Sequence, residues 1–157
     1  MKILITNDDS IHAPGIAMLA KAAKEFGEVT VVAPAQQCSA MSQRITVHAD
    51  LMVRPEEFPV EGVHAYSVSG TPADCVKVAF MYLLPEKPDI VFSGINFGYN
   101  IGFDIAYSGT VGAAMEAIMQ GVPAIAFSNA SNGVYEVAEA HMLAVTKDLM
   151  SREIASN

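Results

Sequence analysis

Short runs of β-branched and apolar residues alternate along this chain with stretches of helical spacing, and that alternation restricts the fold more than any other feature. Residues 2–6 (KILIT) read as a strand, and Ile16, Leu19, Ala20, Ala23 and Phe26 then recur at helical intervals up to Gly27, a candidate helix stop. Residues 28–33 (EVTVVA) form the next strand pattern. Repeated βα units of this kind predict an α/β fold, a Rossmann-like three-layer domain with a mainly parallel sheet.

The middle of the chain is less regular. Residues 44–48 (RITVH) and 64–69 (HAYSVS) are expected as two strands that pair as a hairpin-like excursion across a Pro- and Glu-rich loop at 55–61. Thr71-Pro72 predicts a cap followed by Pro at the first helical position, and the helix runs through Val76, Val78, Ala79, Tyr82 and Leu83 to Pro85 and Pro88. Residues 89–92 (DIVF) are a short buried strand, followed by a Gly- and Asn-rich loop over 93–109. A helix at 110–120 stops at Gly121, and residues 122–127 (VPAIAF) give another strand. Val134, Val137, Ala138, His141, Met142, Val145 and Leu149 mark a last amphipathic helix. No repeat or linker interrupts the pattern, so one domain over 1–157 is expected.

Charge narrows the function. Seventeen Asp and Glu against nine Lys and Arg give a net charge of −8, and no basic stripe suits the backbone of polymeric nucleic acid. A small phosphate ester remains possible, provided a cation or backbone N–H groups offset the repulsion. Cys38 and Cys75 form neither a disulfide framework nor a zinc motif. Cys38 reads as a small, partly buried residue rather than a catalytic thiol. The first apolar run is too short for a signal-peptide core, and the longest, 78–84, falls far below the roughly 18 residues of a membrane span. A cytoplasmic protein with no membrane partner is expected.

In open α/β sheets, ligands bind beyond the carboxyl ends of the strands. Four segments there are unusually polar: Asn7-Asp8-Asp9-Ser10, Ser39-Ala40-Met41-Ser42, Ser93-Gly94-Ile95-Asn96 and Tyr107-Ser108-Gly109-Thr110. Asp8 and Asp9 repel unless one is protonated or a cation lies between them, and hard oxygen ligands favour Mg²⁺, Mn²⁺ or Ca²⁺ over zinc. The same pair also reads as an acidic turn capping the helix that starts near Pro14. Ser108-Gly109-Thr110 opens a helix, where free N–H groups suit an anion; taken alone, the tripeptide reads more readily as an N-cap. The Asn96–Asn100 stretch alone reads as a turn. His12, three residues from Asp9, is either a general acid or base or a surface residue, and the four histidines show no metal spacing. Neither a G-x-x-x-x-G-K-[ST] loop nor a G-x-G-x-x-G fingerprint is present, which argues against a dinucleotide-dependent oxidoreductase.

The blocks KILITNDDSIHAPGI, SAMS at 39–42, GTPADC at 70–75, SGINFGYN at 93–100 and YSGTV at 107–111 together resemble the SurE family. Its members are stationary-phase survival proteins that act as 5′/3′-nucleotidases. The resemblance implies a divalent cation, Mg²⁺ or Mn²⁺, one per subunit, held by Asp8, Asp9, Ser39 and Asn96, with Asp8 and Asp9 catalytic. It implies phosphate binding by Asn96, Asn100, Ser108, Gly109 and Thr110, a nucleoside monophosphate substrate, and a homodimer or tetramer. Where the family usually has Gly after N-D-D, this chain has Ser10, which is expected to permit the turn. The family continues past position 157, so the chain is expected to lack its C-terminal portion. Direct attack by water is expected rather than an aspartyl-phosphate route, because the D-x-D pattern of haloacid dehalogenases is absent. A non-catalytic metal- or nucleotide-binding module is the alternative.

Overall fold

The computed structural model describes residues 1–152; positions 153–157 of the expected domain lie outside the described residues. Strand β1 (Lys2–Thr6) leads to helix α1 (Pro14–Ala23), then β2 (Glu28–Pro34), β3 (Val53–Glu56) and β4 (His64–Val68). Helix α2 (Pro72–Val78) runs into a π turn (Ala79–Leu83). Strand β5 (Ile90–Phe97), a 3₁₀ turn (Gly102–Ala106), α3 (Gly109–Met119), β6 (Ala124–Asn129) and α4 (Glu136–Ser151) follow.

The six strands form one sheet in the order β3-β4-β2-β1-β5-β6, parallel except where β3 meets β4. Because strand side chains alternate between faces, Ile3, Ile5, Val29, Val31, Ile90 and Phe92 share one core with α1 and Met142 of α4. Leu4, Val32 and Val91 enter a second core on the other face with Cys75 and Val76 of α2 and Ala113 and Ala117 of α3. The expected three-layer α/β architecture is therefore present. After β2 and β4 the chain returns to place β5 on the opposite side of β1. The topological switch point thus lies between the carboxyl ends of β1 and β5.

Several local expectations are corrected. Residues 44–48 are not a strand; the antiparallel partner of β4 is Val53–Glu56. The cause is Asp74, whose carboxylate accepts from Thr46 N at 2.9 Å and Thr46 Oγ1 at 2.7 Å and so holds that segment against the start of α2. Pro55 is tolerated in β3 because β3 is an edge strand. The expected loop over 93–109 begins later, since β5 continues through Asn96 to Phe97, with a bulge against β6 between Ser93 and Asn96. Gly27 does not end α1 by a left-handed turn. It sits where a Cβ would lie 2.0 Å from the Met1 carbonyl oxygen, at the close approach that starts β2 beside β1. The last helix is less amphipathic than its spacing suggests: Met142 is buried, but Val137 and Val145 are exposed. Among the described residues no helix is long and apolar enough to cross a membrane.

Candidate active site

The end of β1 is buried and polar. Asn7 Nδ2 donates to the Ser10 carbonyl at 2.8 Å, closing the turn over Asp8 and Asp9, while Asn7 Oδ1 is buried without a partner. Ser10 adopts φ +94°, a conformation that disfavours side chains, and the turn forms with Ser10 in place, as expected. Cys38 N donates to the Asp8 carbonyl at 2.7 Å, so the segment after β2 is tied directly to the turn after β1. Farther along that segment, Ser42 donates from N and Oγ to the carbonyls of Tyr107 and Ala106, both at 2.9 Å. These bonds carry Ser39 over the start of α3.

Helix α3 is brought close by glycine. A Cβ on Gly112 would lie 2.0 Å from the Ser42 carbonyl oxygen, and one on Gly109 would lie 2.9 Å from Asp8 Cβ and 3.1 Å from the Cys38 carbonyl oxygen. Ser108 caps the helix, its hydroxyl accepting from Val111 N at 3.2 Å. Thr110 is fully buried, and its hydroxyl donates to Asp8 Oδ1 at 2.6 Å. Ser93 Oγ donates to the Thr110 carbonyl at 2.7 Å and ties the helix start to β5.

The result is a cleft of about 280 Å³ whose wall includes Asp8, Ser39, Asn96, Asn100 and Ser108. Five of the expected site residues, from separate segments of the chain, thus converge on the cleft. Asp9 stands beside them with its carboxylate engaged: Oδ2 accepts from Phe97 N at 2.7 Å and Oδ1 from Gln37 Nε2 at 3.4 Å. Asn96 Nδ2 donates to the Gly98 carbonyl at 2.8 Å, leaving Oδ1 as an acceptor. Asn100 Nδ2 donates to Ser128 Oγ of β6 at 2.9 Å. The Thr110 side chain faces Asp8 instead of the cleft, and Gly109 contributes its lack of a side chain. His12 is exposed and is not part of the cleft wall.

Burial pushes the Asp8 carboxyl above its ordinary range; the Thr110 hydrogen bond opposes this, and the neighbouring Asp9 charge adds to it. Burial likewise pushes the Cys38 thiol up, with Asp8 and Asp74 adding to the effect, so Cys38 is held as a thiol rather than a thiolate. Among the described residues no group of three or more His, Cys, Asp and Glu side chains is disposed to hold a metal, and no Lys or Arg lines the cleft. Asp8, Asp9, Ser39 and Asn96 offer two carboxylates, a hydroxyl and an amide oxygen. An all-oxygen set favours a hard divalent ion over zinc.

Two features escaped the sequence. One is Asp74, which accepts from Thr71 N at 2.9 Å as well as from Thr46 and completes a capping box with Thr71. The other is the aromatic composition of the cleft's outer wall, where Phe97, Tyr99 and Tyr107 stand exposed. A signal for it exists: residues 97, 99, 101, 103, 105 and 107 are all apolar or aromatic within a stretch that otherwise reads as a polar loop.

The sequence profile of the family described as "Survival protein SurE" matches residues 3–157. The 5′-nucleotidase SurE of Geobacter sulfurreducens is 47% identical over 155 residues, covering 97% of this chain and 57% of that protein. The 5′-nucleotidase SurE of Heliobacterium modesticaldum is 52% identical over 128 residues, covering 82% of this chain and 47% of that protein. The crystal structure of the SurE protein from Aquifex aeolicus superposes with a TM-score of 0.84 at 38% identity, covering 98% of this chain and 62% of the other. The chain therefore spans about half the length of the curated relatives it matches.

Proposed function

The chain belongs to the SurE family, and on that premise we propose that it is a divalent-metal-dependent phosphatase of nucleoside 5′- or 3′-monophosphates. The observation that carries this reading is the meeting of Asp8, Ser39, Asn96 and Ser108 in one cleft that no Lys or Arg lines among the described residues. A phosphate dianion entering beside Asp8 and Asp9 meets like charge, so a cation is required for binding as well as for chemistry. The names of the relatives, 5′-nucleotidase SurE, support the substrate class.

In this reading Asp8 and Asp9 hold the cation with help from Ser39 Oγ and Asn96 Oδ1. When bound, the ion supplies Lewis acidity and neutralises charge on the phosphoryl group. Thr110 orients the Asp8 carboxylate and keeps it ionisable despite burial. The Gly109 N–H at the start of α3 has no intrahelical acceptor, and with Ser108 Oγ it would meet charge developing on the phosphoryl oxygens. Asn100 completes the phosphate contacts, and water is the nucleophile.

The test is hydrolysis of AMP and 3′-AMP with Mg²⁺, Mn²⁺ or EDTA, using wild type and Asp8→Asn. Metal-dependent release of phosphate that Asp8→Asn abolishes is the expected result. Metal-independent turnover, or equal turnover by the variant, overturns the assignment. Metal-dependent binding of AMP without turnover would favour the non-catalytic binding module.

A further inference from the structure

The segment from Phe97 to Tyr107 leaves six apolar or aromatic side chains exposed at alternate positions, from 47% for Ile105 to 92% for Phe103. Exposed apolar surface of this density costs solvation and marks a contact site when it borders a pocket. Three of these rings, Phe97, Tyr99 and Tyr107, form part of the same cleft wall as Asp8 and Ser108. Tyr99 and Tyr107 are 61% and 63% exposed, so neither is committed to packing in the core.

Size decides what they meet. At about 280 Å³ the cleft lies just under the range of ordinary ligand pockets, roughly 300–1,000 Å³. A phosphate with its cation takes only part of that volume. The nucleoside attached to it then lies against the rest of the wall, where the aromatic residues stand.

Resting on the phosphatase reading, we propose that Tyr99 and Tyr107 are specificity-determining residues that bind the leaving group by stacking on its base. Stacking senses a flat ring and tolerates any base, because every base has a π-face. The site therefore selects phosphomonoesters that carry an aromatic base over sugar phosphates, and accepts purines and pyrimidines alike. The outer wall also carries Asp104, an anion that disfavours further phosphate groups at the rim.

The experiment compares the binding of AMP and ribose 5-phosphate, which carries a hydroxyl at C1′ in place of the base, by equilibrium dialysis with Mn²⁺. Wild type is expected to bind AMP about tenfold more tightly. In Tyr99→Leu/Tyr107→Leu the ratio of the two affinities falls towards one, whereas Tyr99→Phe/Tyr107→Phe keeps it because the rings remain. The chain has five Tyr and no Trp, so AMP should also quench tyrosine emission in wild type and less so in the Leu variant. Equal affinities in wild type, or a ratio that survives the Leu substitutions, overturn the stacking proposal and leave the phosphatase reading intact. If neither ligand binds in the presence of metal, the phosphatase reading and the proposal fail together.

Discussion

Thr110 and Asp8 stand 102 positions apart in the chain, yet the threonine hydroxyl donates to the aspartate carboxylate across 2.6 Å in the protein interior. This bond joins the end of β1 to the first turn of α3 and assigns the two hydroxyls of the Ser-Gly-Thr sequence different duties. Ser108 faces the cleft and caps the helix; Thr110 serves the carboxylate.

That division predicts distinct phenotypes. Thr110→Val should weaken Mn²⁺ binding by about tenfold, the usual consequence of removing a hydrogen bond behind a metal ligand. Ser108→Ala should weaken phosphate binding while retaining metal affinity, and cost about 1 kcal/mol through loss of the cap. Separate titrations of Mn²⁺ and of inorganic phosphate decide it. Identical losses in both variants would contradict the split.

Burial pushes the Asp8 carboxyl above its ordinary range, so the metal-free fold favours the protonated form more than the unfolded chain does. The associated stability is complete below the unfolded-chain value and is lost as pH rises through the higher folded value. At neutral pH without metal, ionised Asp8 therefore opposes folding. Asp8→Asn should raise the melting temperature of metal-free protein at pH 7 while abolishing turnover, and the gain should shrink on acidification. A lower melting temperature for the variant at pH 7 would contradict this.

Gly109 has no room for a methyl group between Asp8 and the Cys38 carbonyl. Gly109→Ala must displace the carboxylate or the segment after β2. Turnover should fall at least about 100-fold, as misplacement by about 1 Å does elsewhere, with little change in circular dichroism. Normal activity would show that the gap can widen harmlessly.

Ser10 carries a side chain at φ +94°. Ser10→Gly should relieve about 1 kcal/mol of backbone strain. A urea unfolding curve should show a higher midpoint, and turnover should be retained.

Asp74 is 2% exposed and accepts three hydrogen bonds, from Thr46 N, Thr46 Oγ1 and Thr71 N. Asp74→Ala should cost about 3 kcal/mol, because charge-assisted bonds are lost and buried donors are left unpaired. The same urea measurement reads it. A change below about 1 kcal/mol would show that water replaces the carboxylate at no penalty.

The layered α/β fold was legible because its signals are periodic: KILIT, EVTVV and the strand at DIVF bury alternate residues on two faces, and α1 and α3 follow helical spacing. Convergence of Asp8, Ser39 and Ser108 followed from their place after strands and at a helix start, whereas Asn96 reaches the cleft from within the longer β5. The misreading of 44–48 has a different origin. RITVH has strand composition, but a tertiary bond to Asp74 outcompetes local propensity. The Thr110 side-chain direction was equally hidden, since a helix-start hydroxyl can turn either to a ligand or inward, and only the packing of α3 against β5 and β6 chooses.

The sheet order also bears on kinetics. The pairing that frames the cleft, Ile3 with Ile90, joins strands separated by more than half the described chain. Closing so large a loop is entropically costly before any contact rewards it, and topologies dominated by such pairings fold slowly. The chain between these strands contains β2, β4 and α2, which can associate earlier through shorter separations. The cleft is consequently a late-forming part of the molecule, and recovery of metal-dependent AMP binding after dilution from denaturant should track the slowest phase of refolding.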